Sequence, residues 1–223
     1  MISNLATKLQ EKAALKAAVF KLTQSAFKRL EMQAHQLAQE LHAQVKLDAG
    51  VQVQFDQVNA HEFILRFGED ALVVILQSNV VKLPEERYLS KAKYVKADDK
   101  RAYFGQILVY NFLSDTITYN RMEDHGYLIG RLLLNIENKF FIEGERNLVF
   151  HYPELKENDL TDEKLRDMLM LLMRSAVDND LLAPAFQELM VINYQQKLLY
   201  TSGLGSPQKI GFDVFAKNRE EEA

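Results

Sequence analysis

Apolar residues recur at alternating spacings of three and four near the start of the chain: Phe20, Thr23, Phe27, Leu30, Ala34, Leu37 and Leu41. That seam is the signature of a helix packed along one face. Residues 3–46 contain neither Gly nor Pro and are rich in strong helix formers. The spacing predicts one helix of about 65 Å at 1.5 Å per residue, or two halves of a broken one. Ser3 or Asn4 is the expected N-cap, and "LDAG" at 47–50 supplies a glycine stop. A second stripe, Leu15, Val19, Leu22 and Ala26, widens the apolar face. One stripe suits the protein's own sheet. The other is expected to pack on a second copy.

After Gly50 the period changes to two. Val51, Val53 and Phe55 alternate with Gln52, Gln54 and Asp56, and "HEFILRF" (61–67) and "ALVVILQ" (71–77) follow after short turns at Asn59 and "GED". Three runs so spaced predict an antiparallel meander. Residues 78–101 form a long connection around Pro84, with a strand expected near 88–96. A strand over 103–113, a Ser114-Asp115 turn and a short partner strand come next. The stretch "HGYLIGRLLLNIENKFFIEGERNLVF" (125–150) reads as a hairpin. With Glu137-Asn138-Lys139 as its three-residue loop, Ile136, Leu134 and Leu132 face Phe140, Ile142 and Gly144. On the other side Asn135, Leu133 and Arg131 face Phe141, Glu143 and Glu145, so that Arg131 pairs with Glu145 across the strands. Gly144 opposite Leu132 leaves room for a helix to pack.

"PELKENDLTDEKLRDMLMLLMRSAV" predicts a buried helix with Thr161 as N-cap, Asp162 and Glu163 in its first turn, and Leu160 with Leu165 as a hydrophobic staple. "DND" at 178–180 ends it, and 186–200 reads equally well as helix or strand. "IGFDVF" is an edge-strand candidate, and residues 216–223 are expected to be a disordered tail. Strands bracketed by helices, without βαβ alternation, predict an α+β fold. The expected architecture is an antiparallel sheet of six or seven strands within 51–150, in a domain spanning 51–215. Helix 1–47 and a helical part over 160–200 would cover one face.

Composition narrows the chemistry. The 223 residues include no cysteine, which excludes disulfides, zinc–thiolate sites, iron–sulfur clusters and thiol catalysis. No fully apolar run exceeds six residues, as at 71–76, so no membrane span is expected. The polar N-terminus lacks the apolar core of a signal peptide, and a soluble cytoplasmic protein is expected. Net charge is −4 but polarised: residues 1–47 hold seven Lys/Arg against three Asp/Glu, and 82–101 seven against four. Such asymmetry steers partners or lies on solvated faces.

Candidate chemistry is sparse. Lys91, Lys93, Lys96, Lys100 and Arg101 with Tyr94 form the best polyanion-binding candidate, since lysines meet phosphates and tyrosine stacks on bases. Acidic Glu85, Glu86, Asp98 and Asp99 dilute it. A polar cluster is drawn from Arg121, Asp124 and His125 in "RMEDHG" and from Arg131, Glu143 and Glu145 on the hairpin. A histidine beside carboxylates can serve as base or ligand, and paired carboxylates can divide acid and base roles. A polar turn and a cross-strand ion pair explain the same residues. Glu137-x-Lys139 with upstream Asp124 has the spacing of nuclease cores that bind a divalent ion, but it falls on a turn. His35 and His42 are seven residues apart on one helix, too far to share a metal. No His-Glu-x-x-His, Gly-x-Ser-x-Gly or Gly-Lys-Ser/Thr motif occurs, and Gly203-x-Gly205 lacks a third glycine. These absences point away from an enzyme, and no cofactor or metal is expected.

The block "YNFLSDTITYNRMEDHGYLIGRLLLNIENKFFIEGERNLVF", within about residues 103–150, resembles a conserved family of uncharacterised bacterial proteins. The resemblance implies no activity. The expected function is therefore a non-catalytic protein acting by protein–protein contact, self-associating as a homodimer through its N-terminal helix. Nucleic-acid binding, with metal-dependent cleavage as a minor variant, ranks second. Small-ligand binding beneath the long helix ranks third.

Overall fold

The computed structural model describes residues 2–45, 51–84, 92–144 and 151–179, and the isolated positions 191, 194 and 197. Helix α1 runs unbroken from Ile2–Gln44. It begins before Ser3, whose carbonyl already accepts from Thr7 Oγ1 within the helix, so neither Ser3 nor Asn4 caps it. Six strands follow: β1 (Val53–Asn59), β2 (Glu62–Phe67), β3 (Asp70–Lys82), β4 (Tyr103–Leu113), β5 (Tyr127–Asn135) and β6 (Phe140–Gly144). Every neighbour is antiparallel and the order is sequential, β1 to β6. The fold is α+β, as the alternation of periods predicts.

The long loop between β3 and β4 carries a one-turn helix α2 (Lys93–Lys96) and a 3-10 turn (Asp99–Ala102). Among its described residues there is no strand near 88–96. Only Val95 of α2 is buried, so the turn needs one inward side chain and not a period of two. The partner strand expected after Ser114 is likewise absent. Ser114–Thr118 forms a short helix α3, and Asn120 takes a positive φ of 50° to turn the chain toward β5. Helix α4 (Asp162–Val177) starts at Thr161, whose side chain accepts from the Lys164 N–H at 3.2 Å. Leu160 and Leu165 are both buried at the staple positions.

Both long helices cover one face. Phe27 of α1 meets Phe63 of β2 (5.4 Å between ring centres), and His35 meets Phe55 of β1 at 5.1 Å. α4 runs alongside in the same sense, tied by Arg29–Asp162 and Glu40–Arg166. These ion pairs are part-exposed and worth little each. The packing is the stronger term: Leu30, Leu65, Leu72, Val74, Ile107, Leu132, Phe140 and Leu169 are all buried in one cluster. The second stripe of α1 is not left for a second copy, because Val19 and Ala26 are buried by the same chain. The opposite face of the sheet is covered at one end by α2, its loop and a 3-10 turn at Leu155–Glu157, with Leu83, Val95 and Leu155 packed on Phe104 and Leu133.

The 127–144 hairpin keeps the expected faces but not the expected register. Leu134 pairs with Phe140, Leu132 with Ile142, and Arg131 with Glu143. The three-residue loop is therefore 136–138, one residue earlier than expected. Its last position takes φ 58°, and Asn138 stands there. Asparagine tolerates the left-handed region, whereas the later loop would have forced it on Lys139. Asn135 fixes the loop, its Oδ1 accepting from the N–H groups of Glu137 and Lys139 at 3.0 Å each. Gly144 consequently faces Gly130, not Leu132. The room is used at Gly130, where a Cβ would lie 2.8 Å from Leu172 of α4.

Candidate functional site

The predicted polyanion patch is divided by the fold. Lys93, Lys96 and Lys100 are exposed, and Lys91 lies outside the described residues. Tyr94 and Arg101 instead point into a latch against the β5–β6 turn. Arg101 stacks on the Tyr94 ring at 4.5 Å and donates from Nε to Glu137 at 2.8 Å and from its Nη1 to the Tyr94 carbonyl at 3.0 Å. The Tyr94 hydroxyl donates to the second Glu137 oxygen at 2.6 Å and accepts from Asn135 Nδ2 at 3.0 Å. Burial and the hydrogen bond to Glu137 push the Tyr94 phenol up to about 12. The donated bonds from Tyr94 and Arg101 hold the Glu137 carboxyl below the ordinary glutamate range, and the same carboxylate raises Arg101. The latch pins the β3–β4 loop to the sheet.

The latch also accounts for Glu137-x-Lys139. Glu137 is held by Tyr94 and Arg101, while Lys139 Nζ pairs with Asp159 at 2.7 Å. Asp124 belongs to a different loop, where Thr116 Oγ1 donates to it at 2.6 Å. Among the described residues, no group of three or more His, Asp or Glu side chains converges as a metal site.

The polar cluster separates into two parts. Arg121 faces Asp115 and Asp124 at 3.7 and 4.0 Å and lies over Tyr119, while His125 is exposed beside it. Arg131 pairs across the strands with Glu143, its Nε donating at 2.6 Å. Glu145, the partner expected from the sequence, is outside the described residues, and Glu143 takes its place because the register moved by two.

Among the described residues two apolar surfaces stand out. The first is an arm. Residues 2–14 of α1 are exposed at every position, and the first buried residue is Val19. Ile2, Leu5 and Leu9 stand on this arm at 85%, 59% and 61% exposure. Their spacing of three and four extends the buried seam backwards, a signal already present in the sequence. The second surface is a cleft of about 570 Å³ between the C-terminal ends of α1 and α4, the start of β1 and the β2–β3 turn. Leu37, Leu41, Phe67, Met170, Met173 and Val177 line it, with Glu69, Asp70 and Arg174 among its polar residues. The Asp70 carboxylate is buried and accepts from Asn111 Nδ2 at 3.0 Å. Met170 and Val177 are substantially exposed at the rim. No sequence spacing marks this cleft, because its walls come from four separate elements.

Among the described residues no helix is long and apolar enough to cross a membrane. No protein-family model matches the chain, and neither a curated protein nor a solved structure is significantly similar to it.

Proposed function

We propose that the chain is a non-catalytic, cytoplasmic interaction protein that self-associates as a homodimer through the N-terminal arm of α1. The observation that carries the reading is the arm itself: a helix continuing well past the last residue its own body covers, with Ile2, Leu5 and Leu9 in solvent. Isolated helical ends of this length are marginal in water, so a packed partner stabilises the arm. Burying three such side chains from each of two arms contributes roughly 9–18 kcal/mol. Lost translational and rotational freedom costs about 4–15 kcal/mol. The balance favours a reversible dimer whose population depends on concentration. Light scattering from low to high micromolar protein should show the mass rising toward two copies, and Leu5→Glu with Leu9→Glu should abolish the rise. A wild-type protein that stays monomeric at high micromolar concentration refutes the reading.

A second reading, polyanion binding, rests on the exposed Lys93, Lys96 and Lys100. Titration of labelled DNA and RNA from low to physiological salt tests it. Salt-sensitive binding that weakens when the three lysines become alanine supports the patch, and no binding at low salt removes it.

A further inference from the structure

The arm and the cleft are two halves of one interface. We propose that the arm of each copy seats in the cleft of a second copy, reciprocally, in a two-fold dimer. This rests on the self-association proposed above and specifies its geometry.

Four observations lead there. The arm presents Ile2, Leu5 and Leu9, and the cleft presents Leu37, Leu41, Met170, Met173 and Val177. Methionine walls adapt to an incoming aliphatic stripe. The charges are complementary: Lys8, Lys12 and Lys16 run along the arm against one acidic residue, Glu11, whereas Glu69 and Asp70 border the cleft and its Arg174 is paired with Asp178. Pairing arm with arm would instead bring six lysines together.

The third observation is reach. Leu9 and Leu41 lie on the same straight helix, about 48 Å apart, so an arm cannot bend back to its own cleft. Reciprocal seating then requires the two α1 helices to run antiparallel, which closes the assembly as a dimer and leaves no free arm.

The fourth is area. A 17-residue arm, residues 2–18, presents roughly 450 Å² on one half of its surface. A standard interface removes about 800 Å² per partner, which arm-on-arm packing does not reach. Seating an arm in the cleft adds the cleft's own lining to what each copy gives, and so buries more of each copy than arm-on-arm packing does.

The absence of cysteine makes the test clean. A full-length Leu9→Cys copy and a differently tagged full-length Met170→Cys copy are mixed and oxidised mildly with copper–phenanthroline. The expected result is a mixed disulfide dimer that is lost when Leu5→Glu is added to the arm variant. Leu9→Cys cross-linking mainly to itself, with the wild-type dimer intact, overturns the cleft and keeps self-association. A cross-link within one chain of Met170→Cys/Leu199→Cys, with no mixed dimer, assigns the cleft to the chain's own residues 180–223 and overturns the inference. A wild-type mass above two copies overturns the closed arrangement in favour of arms passed from copy to copy. A monomeric wild type removes both proposals together.

Discussion

The position of the arm depends on how α1 is seated, and the seat is Gly105. This residue lies in β4, in the middle of the sheet, and Thr23 of α1 packs directly over it. A Cβ added at Gly105 would lie 1.9 Å from Thr23 Oγ1, 2.7 Å from its Cβ and 2.9 Å from its Cγ2. Rotating Thr23 about χ1 relieves the hydroxyl contact but swings the methyl toward the same space. It does nothing for the Cβ–Cβ approach, which must open by about 0.7 Å to reach the 3.4 Å of ordinary contact. That displacement has to come from the helix backbone, because Thr23 is fully buried and its hydroxyl is bound to the Val19 carbonyl at 2.8 Å. Overpacking of this kind costs about 1–3 kcal/mol. The stiffer unfolded chain of Gly105→Ala returns only about 0.4–1 kcal/mol. The steric term wins, and the expected net loss is about 1.3 kcal/mol, or roughly 3–5 °C in Tm for a chain of this size. Urea unfolding followed by circular dichroism, at one fixed protein concentration, measures it. Thr23→Ala removes the hydroxyl and the methyl but not the Cβ, so in Gly105→Ala it should recover about half the loss. The double-mutant cycle should then show coupling of about 0.7 kcal/mol. A Gly105→Ala protein within about 0.5 kcal/mol of wild type, or strictly additive effects in the cycle, would refute the claim that this contact sets the height of the helix.

Two further outcomes follow from the hairpin and the latch. Asn138→Gly should be close to neutral in stability, whereas Asn138→Ala should cost about 1 kcal/mol, because φ 58° is strained for a side chain without a local hydrogen-bonding group; equal stabilities by urea titration would contradict the loop assignment. Glu137 has a depressed carboxyl, so its contribution is present above the ordinary glutamate pKa of 4.5 and is lost as the pH falls through the lower folded value. The difference in Tm between wild type and Glu137→Gln should therefore shrink on acidification, and a difference constant across that range would show that the charge of Glu137 does not hold the latch.

Much of the fold was legible along the chain because it depends on local periodicity. The helical N-terminal stretch, the meander, the hairpin and the Thr161 cap each follow from spacing within a few residues, whereas the spacing left open whether that stretch is one helix or two, and the structure makes it one. The short elements were not legible. Lys93–Lys96 and Ser114–Thr118 are single turns, held by one or two buried side chains, and they leave no period to read. The hairpin register moved by two because the faces of a strand repeat every two residues: both registers bury the same apolar side chains, and only the backbone conformation at Asn138 distinguishes them. The polar candidates did not converge on one site. Arg121 met Asp124 and Arg131 met Glu143 as two separate pairs, while Glu137 found Tyr94 and Arg101, and Lys139 found Asp159.

By itself the sequence determined which face of each element is apolar and that the helix is long, since both are properties of consecutive residues. Tertiary structure alone decided how far the sheet and α4 extend along that helix. That limit falls near Val19, and it turns Ile2, Leu5 and Leu9 from a continuation of the core seam into exposed surface. The cleft at the other end was equally hidden. Solvent exposure depends on which other elements arrive, and those are encoded anywhere from ten residues away, as Val51 is from Leu41, to more than a hundred, as Met173 is.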